Sequence, residues 1–164
     1  MTSLAEVVDV VVGVDTHKHE HTAVVVNAAT GGAVDEMTVR TDPGGYEALV
    51  AWAVGHGGSR AWAIESTGGY GAGLVRVLRG RGEWVIELDR PDRPARRHGA
   101  KSDSLDALRA GREALARSCL GEPKAPGQRA ALAVLLAARR SAVEGAGDAQ
   151  RQLLSLIHLS EPTR

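Results

Sequence analysis

The sequence is poor in the residues that mark several protein classes. It contains no phenylalanine, only 3% aromatic residues and one cysteine, Cys119, in 164 residues. A single cysteine cannot form an internal disulfide, which fits a reducing compartment such as the cytoplasm. So few aromatic side chains argue against a surface of stacking platforms for single-stranded nucleic acid.

Long apolar runs and a net charge are missing as well. The longest apolar stretch, residues 7–14, includes Asp9 and is far shorter than the roughly 20 residues that a membrane span requires. The N-terminus lacks the basic and apolar regions of a signal peptide. The 20 basic and 20 acidic residues cancel, so only a local cluster of charge can attract a charged partner. We expect a soluble, cytoplasmic protein with no membrane partner.

The sequence does contain short β-branched runs that alternate with helical patterns. Strands are predicted over residues 8–15, 21–27 and 34–40, joined by turns short enough for an antiparallel meander. Two strands follow, over 60–65 and 84–88, each preceded by a helix, and a third helix starts after Ser102. The order β-β-β-α-β-α-β-α predicts an α/β mixed sheet with crossover helices. In such a sheet the ends of the first and fourth strands lie side by side, below the third helix.

Four carboxylates lie at the ends of these predicted elements, where core packing does not require them. Asp15 and Glu65 end the first and fourth strands, and Asp103 and Asp106 lie one turn apart at the start of the third helix. Singly, each has an ordinary explanation, such as a turn or a favourable helix N-terminus. Together they can converge, and two divalent ions about 3.5–4 Å apart can clamp a phosphodiester. We predict a site for two Mg²⁺ ions, with Mn²⁺ as a substitute.

A basic segment lies between the fifth strand and the third helix. Residues 89–101 hold four predicted phosphate contacts: Arg93, Arg96, Arg97 and Lys101. Such side chains grip a nucleic-acid backbone without reading its bases. A solvated loop is the alternative interpretation.

Two further motifs suggest functions that their details do not support. The glycine-rich residues 68–73 lack the G-x-G-x-x-G spacing after a first strand that binds a dinucleotide, and a turn that positions Glu65 explains them better. His17, His19 and His21 alternate in a way that could suggest a zinc site. We expect these three side chains to point to water instead.

Three stretches resemble the DEDD motifs of the insertion sequence 110 family of transposases. They are residues 13–18 (Gly-Val-Asp-Thr-His-Lys), 64–70 (Ile-Glu-Ser-Thr-Gly-Gly-Tyr) and 101–107 (Lys-Ser-Asp-Ser-Leu-Asp-Ala). The resemblance covers about residues 8–118 and implies a ribonuclease H-like fold, similar to Holliday-junction resolvases, in which the four carboxylates bind Mg²⁺. It also implies cleavage and exchange of DNA strands, directed by a guide (bridge) RNA, in a homo-oligomer.

The pattern divides the chain into three parts. Residues 1–118 are the predicted catalytic domain, 119–157 a helical linker and 158–164 an irregular tail. The linker repeats apolar residues at helical spacing without three clean heptads, so a coiled coil is left open.

The resemblance stops short of the family's second domain. That domain supplies a serine that attacks DNA and forms a covalent phosphoserine link, and no serine here can be assigned the role. We therefore expect an incomplete fragment, with the nucleophile outside the chain. Residues 156–164 also resemble translated sequencing-adapter sequence, which would make the tail an artefact; a frayed natural terminus is the alternative.

Two other functions stay open. One is a self-sufficient nuclease that hydrolyses Holliday junctions. The other is a non-catalytic remnant that binds DNA or RNA. A sugar kinase with a related strand order is disfavoured, because the turn after the first strand, Asp15-Thr16-His17-Lys18, has no glycine for a phosphate loop.

Overall fold

The elements follow one another in the predicted order. The computed structural model describes residues 3–65, 67–88, 102–123 and 128–159. After a 3₁₀ turn at Leu4–Glu6, its elements are β1 (Val10–Thr16), β2 (Glu20–Asn27), β3 (Ala33–Arg40), α1 (Pro43–Val54), β4 (Arg60–Glu65), α2 (Ala72–Gly80), β5 (Trp84–Leu88), α3 (Asp103–Ala116) and α4 (Gln128–Leu159).

A five-stranded mixed sheet organises the first unit of the chain, Met1–Lys124. The strand order is β3-β2-β1-β4-β5. The β1–β2 and β2–β3 pairs are antiparallel, whereas the β1–β4 and β4–β5 pairs are parallel. This confirms the predicted α/β, ribonuclease H-like fold and its antiparallel meander. It also confirms that β1 and β4 are neighbours, with Val14 paired to Ile64.

Strand β1 is buried on both faces, which explains its continuous apolar run. Side chains alternate between the two faces of a sheet. On one face Val10, Val12 and Val14 pack in a core with the apolar side chains of α1 and α2. On the other face Val11 packs in a second core that includes Ala110 of α3. Because Asp15 has the parity of Val11, its side chain lies on the α3 face.

Helix α3 lies unusually close to the sheet because the contact is made of small residues. A Cβ atom on Gly13 would lie 2.0 Å from the carbonyl oxygen of Ala107 and 2.6 Å from the backbone nitrogen of Gly111. Ala110 and Ala114 are also buried. The helix backbone therefore rests directly on β1, and this fixes where the first turn of α3 lies relative to the end of that strand.

The glycine-rich segment after β4 serves packing. Residues 67–71 form a turn that leads into α2. A Cβ atom on Gly73 would lie 2.7 Å from the hydroxyl oxygen of Tyr46 in α1. Glycine at this position lets α1 and α2 approach each other.

The second unit, Ala125–Arg164, is built on α4. This 32-residue helix extends through Leu159, two residues into the segment expected to be an irregular tail. Its large apolar side chains that the structure describes are exposed: Leu132, Val134, Leu135, Leu136, Val143, Leu153, Leu154 and Leu156. Among the described residues, no helix combines the length and the apolar character needed to cross a membrane.

Candidate metal centre

Asp15 occupies the end of the central strand. It is cross-strand from Thr22 of β2, and it directly follows the Val14–Ile64 pair of β1 and β4. Its side chain is 22% exposed. A carboxylate that is mostly withdrawn from water at a strand end, under a helix N-terminus, requires compensation by hydrogen bonds or by a cation.

The first turn of α3 brings two more carboxylates to this end of the sheet. Ser102 caps the helix by accepting a hydrogen bond from the Leu105 backbone N–H at 3.3 Å, as the sequence predicts. Asp103 and Asp106 follow in the first turn. They precede the buried Ala107 and Ala110 by four residues each, so they share the helix face that packs on the sheet. Asp106 also accepts a hydrogen bond from Arg109 Nη1 at 2.8 Å.

His17 belongs to the same cluster, whereas the sequence pattern predicts only that its side chain points to water. Its Nε2 atom lies 3.1 Å from Asp15 Oδ2 and 3.5 Å from Asp103 Oδ1. One ligand atom from each of these three residues lies within 4.8 Å of the others. The available signal was its spacing from Asp15: side chains two residues apart at a strand end point to the same face.

The other two histidines do not join this cluster. His19 is exposed. The expectation that His21 points to water is wrong, since its side chain is fully buried. Its ring stacks on Tyr46 with centroids 5.8 Å apart, and its Nδ1 lies 3.0 Å from the Glu20 carbonyl oxygen. Because strand residues alternate faces, His21 belongs to the α1 core.

Glu65 lies beside Asp15 without joining the three-residue cluster. It is the last residue of β4 and directly follows Ile64, the registered partner of Val14. The parallel register therefore puts Glu65 and Asp15 on the same face of the sheet. The four predicted carboxylates thus lie at one end of the sheet, and His17 approaches two of them, Asp15 and Asp103. The predicted phosphate contacts Arg93, Arg96, Arg97 and Lys101 lie outside the described residues.

Burial and neighbouring acids make the negative charge of Asp15 unfavourable. Burial raises the pKa of the Asp15 carboxyl above its ordinary value, and the charges of Asp103 and Asp106 raise this pKa further. The hydrogen bond and charge of His17 oppose that shift. Oxygen donors from two carboxylates and an imidazole nitrogen are a chemically suitable set for a small divalent cation. The residues present therefore fit a metal ion.

A comparison with protein families identifies the chain as similar to a transposase family. The sequence model for DEDD transposases of the insertion sequence 110 type, described as a transposase, matches residues 12–162. This span includes all three DEDD motifs and nearly all of the 164-residue chain. No curated protein matches the chain.

Proposed function

Since the chain belongs to the DEDD transposases of the insertion sequence 110 family, we propose that Asp15, Glu65, Asp103 and Asp106 hold the Mg²⁺ ions with which it cleaves and exchanges DNA strands. Family membership makes it a transposase with DNA as a partner. The proposal that these carboxylates hold Mg²⁺ is supported by the approach of the first turn of α3 to the end of β1. There, three ligand atoms of Asp15, His17 and Asp103 lie within 4.8 Å of one another.

The exposure of the cluster suits a large substrate. The side chains of His17 and Asp103 are 51% and 50% exposed, so a DNA backbone can reach the carboxylates without entering a deep pocket. Bound divalent ions would neutralise charge on the scissile phosphate and activate the attacking oxygen. The chain's own contribution is to hold carboxylates from two strands and one helix in fixed relative positions.

Metal-dependent cleavage tests this proposal. Purified protein, mixed with the serine-bearing second domain that the family resemblance implies, would be incubated with a labelled four-way DNA junction and Mg²⁺ or Mn²⁺, next to Asp15→Asn and the matched control Asp9→Asn. Asp9 lies just outside the opposite end of β1. We expect wild type and Asp9→Asn to cleave, and Asp15→Asn to cleave at least about 100-fold more slowly, because it lacks a metal ligand.

Two results would replace the proposal with another function. Symmetric hydrolysis of the junction, with no protein linked to DNA and no strand exchange, would favour a Holliday-junction nuclease. Binding of the junction without cleavage under either metal would favour a non-catalytic nucleic-acid-binding module.

The basic segment between β5 and α3 is proposed to contact DNA or RNA phosphates through Arg93, Arg96, Arg97 and Lys101. Each phosphate contact contributes about 0.9 to the slope of log affinity against log salt on duplex DNA. Replacing all four side chains with alanine would lower that slope by about 3 to 4. The double variant Arg76→Ala/Arg79→Ala, on exposed positions of α2, would leave it unchanged. Equal slopes in all three proteins would contradict the assignment.

We also propose that the chain binds a guide RNA and that copies of the chain associate with one another. Family resemblance supports the RNA, and the exposed apolar side chains of α4 support self-association, because contiguous exposed apolar surface commonly marks an interface. Protein purified from cells carrying its flanking non-coding DNA would contain one structured transcript, and light scattering would give more than one copy per particle. Random cellular RNA and a monomer would contradict these two parts.

A further inference from the structure

The acidic cluster contains a nitrogen donor that the four carboxylates of the DEDD motif do not account for. His17 Nε2 faces both Asp15 Oδ2 and Asp103 Oδ1, at 3.1 Å and 3.5 Å. A histidine that only caps one carboxylate would need a single such approach. His17 instead bridges carboxylates from two different elements, β1 and α3, at the place where a cation would be bound.

The backbone of His17 is held on both sides. Its N–H donates to the Glu20 carbonyl oxygen at 3.1 Å, and its own carbonyl oxygen accepts from Thr41 Oγ1 at 3.3 Å. These bonds fix the hairpin between β1 and β2 from within and from the segment after β3. A ligand on a fixed backbone loses less conformational freedom when it binds a metal, so it holds that metal in a more defined geometry.

The distances fit neighbouring positions around one octahedral ion. With metal–ligand distances near 2.1 Å, adjacent ligand atoms are about 3 Å apart and opposite ones about 4 Å apart. The two distances from His17 Nε2 lie close to the adjacent value. One ligand atom of each of the three residues lies within 4.8 Å of the other two. A cation placed between Asp15, His17 and Asp103 can thus contact one atom of each.

On the basis of the proposed metal site, we propose that His17 Nε2 is a third ligand of one metal position. This nitrogen would make the position bind Mn²⁺ in preference to Mg²⁺. Mg²⁺ strongly favours oxygen ligands, whereas imidazole suits first-row transition ions. The neutral ring would bind through the Nε2 lone pair and keep its hydrogen on Nδ1. Asp15 and Asp103 would supply the negative charge that attracts either cation, and His17 would supply the preference for Mn²⁺ over Mg²⁺.

The test measures metal binding directly, on protein without a histidine tag. Pulsed electron paramagnetic resonance of bound Mn²⁺ would show coupling to a ¹⁴N nucleus in wild type and in His19→Ala, and no coupling in His17→Ala. His19→Ala is the matched control because it removes an exposed imidazole from the same turn. Competition titrations would give the ratio of the Mg²⁺ to the Mn²⁺ dissociation constant. We expect this ratio to fall about tenfold in His17→Ala, through weaker Mn²⁺ binding, as for loss of a supporting ligand interaction.

The outcomes separate this inference from the proposed function. Mn²⁺ bound without nitrogen coupling, or an unchanged ratio in His17→Ala, would overturn the role of His17 and leave the carboxylate site standing. Wild type that binds neither ion, with circular dichroism showing a folded protein, would overturn both. Nitrogen coupling that disappears in Asp15→Asn as well as in His17→Ala would place the coupled ion in this cluster.

Discussion

Strand β1 has an aspartate near each end, and the two differ in their partners. Asp9, just before the strand, accepts hydrogen bonds at its Oδ2 from the backbone N–H and the hydroxyl of Ser59, at 2.9 and 2.7 Å. These bonds lower the pKa of Asp9, whereas burial and neighbouring acids raise the pKa of Asp15. Neutral donors surround the first carboxylate, and like charges surround the second. An acid in the first setting supports structure, and an acid in the second is suited to bind a cation.

Glu83, at the Asp9 end, also has its partners within the fold. Glu83 forms an ion pair with Arg60 and accepts a hydrogen bond from Trp62 Nε1 at 2.9 Å. A surface groove of about 340 Å³ opens here, lined in part by Val7, Arg60 and Trp84. Its size alone does not make it a functional site, because the acid that lines it already has cationic and donor partners. The acidic cluster at the other end presents carboxylates that a cation would bring together.

The largest effect is expected from Gly13→Ala, which would break the difference between the two ends. The added Cβ would meet the backbone of Ala107 at 2.0 Å, so α3 would have to move away from β1. We expect a loss of about 3 kcal/mol or more in the free energy of unfolding, at the upper end of overpacking costs. Metal binding would weaken together with stability, because Asp103 moves with the helix. Urea unfolding and calorimetric titration with Mn²⁺ measure the two effects.

Gly80→Ala is the control for that substitution. No heavy atom lies within 4 Å of the position its Cβ would take, so stability and metal binding would stay at wild-type values or stability would rise slightly. A Gly13→Ala protein with wild-type stability and wild-type metal affinity would contradict the claim that close packing of α3 builds the site.

Glu83→Ala, at the Asp9 end of β1, is expected to have a smaller effect that is confined to stability. The substitution would leave Arg60, whose side chain is 14% exposed, without its carboxylate and Trp62 without its acceptor. The expected cost is about 3 kcal/mol, with metal affinity unchanged. Glu47→Ala is the matched control, since it breaks an exposed pair with Arg81 worth at most about 1 kcal/mol. Equal losses in the two variants, or a loss of metal binding in Glu83→Ala, would go against this account.

The smallest expected effect concerns the pH dependence of stability in the absence of metal. The contributions of Asp9 and Asp15 to stability are expected to change with pH in opposite directions. The pKa of Asp9 is lowered in the fold, so its contribution to stability is present above the unfolded value of 3.8 and is lost as pH falls through its folded pKa. The pKa of Asp15 is raised, so its ionised form is disfavoured, and wild type loses stability relative to Asp15→Asn as pH rises from 3.8 through the folded pKa.

Urea unfolding in chelator, followed by the fluorescence of the tryptophans that include the buried Trp62, measures that difference. At neutral pH, Asp9→Asn would be less stable than wild type, and Asp15→Asn would be at least as stable as wild type. The two differences would both shrink in acid. If both variants lost stability alike at neutral pH, the two ends of β1 would be equivalent.

Much of the fold and part of the site could be predicted from local sequence patterns. The β-branched run over Val10–Val14 predicts a strand buried on both faces, and Ser102 predicts the start of α3. Strand order then predicts that Asp15 approaches the first turn of α3. These features depend on periodicity and capping, which are written into neighbouring residues.

Other features depend on tertiary contacts that no local pattern records. The burial of His21 accompanies its stacking on Tyr46, and the approach of His17 to a second carboxylate depends on the position of Asp103. The close approach of α3 depends on Gly13, and a lone glycine in a strand indicates a close contact without naming its partner. The predicted Mg²⁺ ligands and the basic segment stay predictions.

The most direct test of the central claim compares divalent-ion binding by wild type, Asp15→Asn and Asp9→Asn, by titration calorimetry with Mn²⁺ and then Mg²⁺. The account predicts saturable binding to wild type, unchanged affinity in Asp9→Asn, and a loss of at least about 100-fold in Asp15→Asn. Equal affinity in all three proteins would contradict it, because the aspartate under α3 would then be no more a metal ligand than the one held by Ser59.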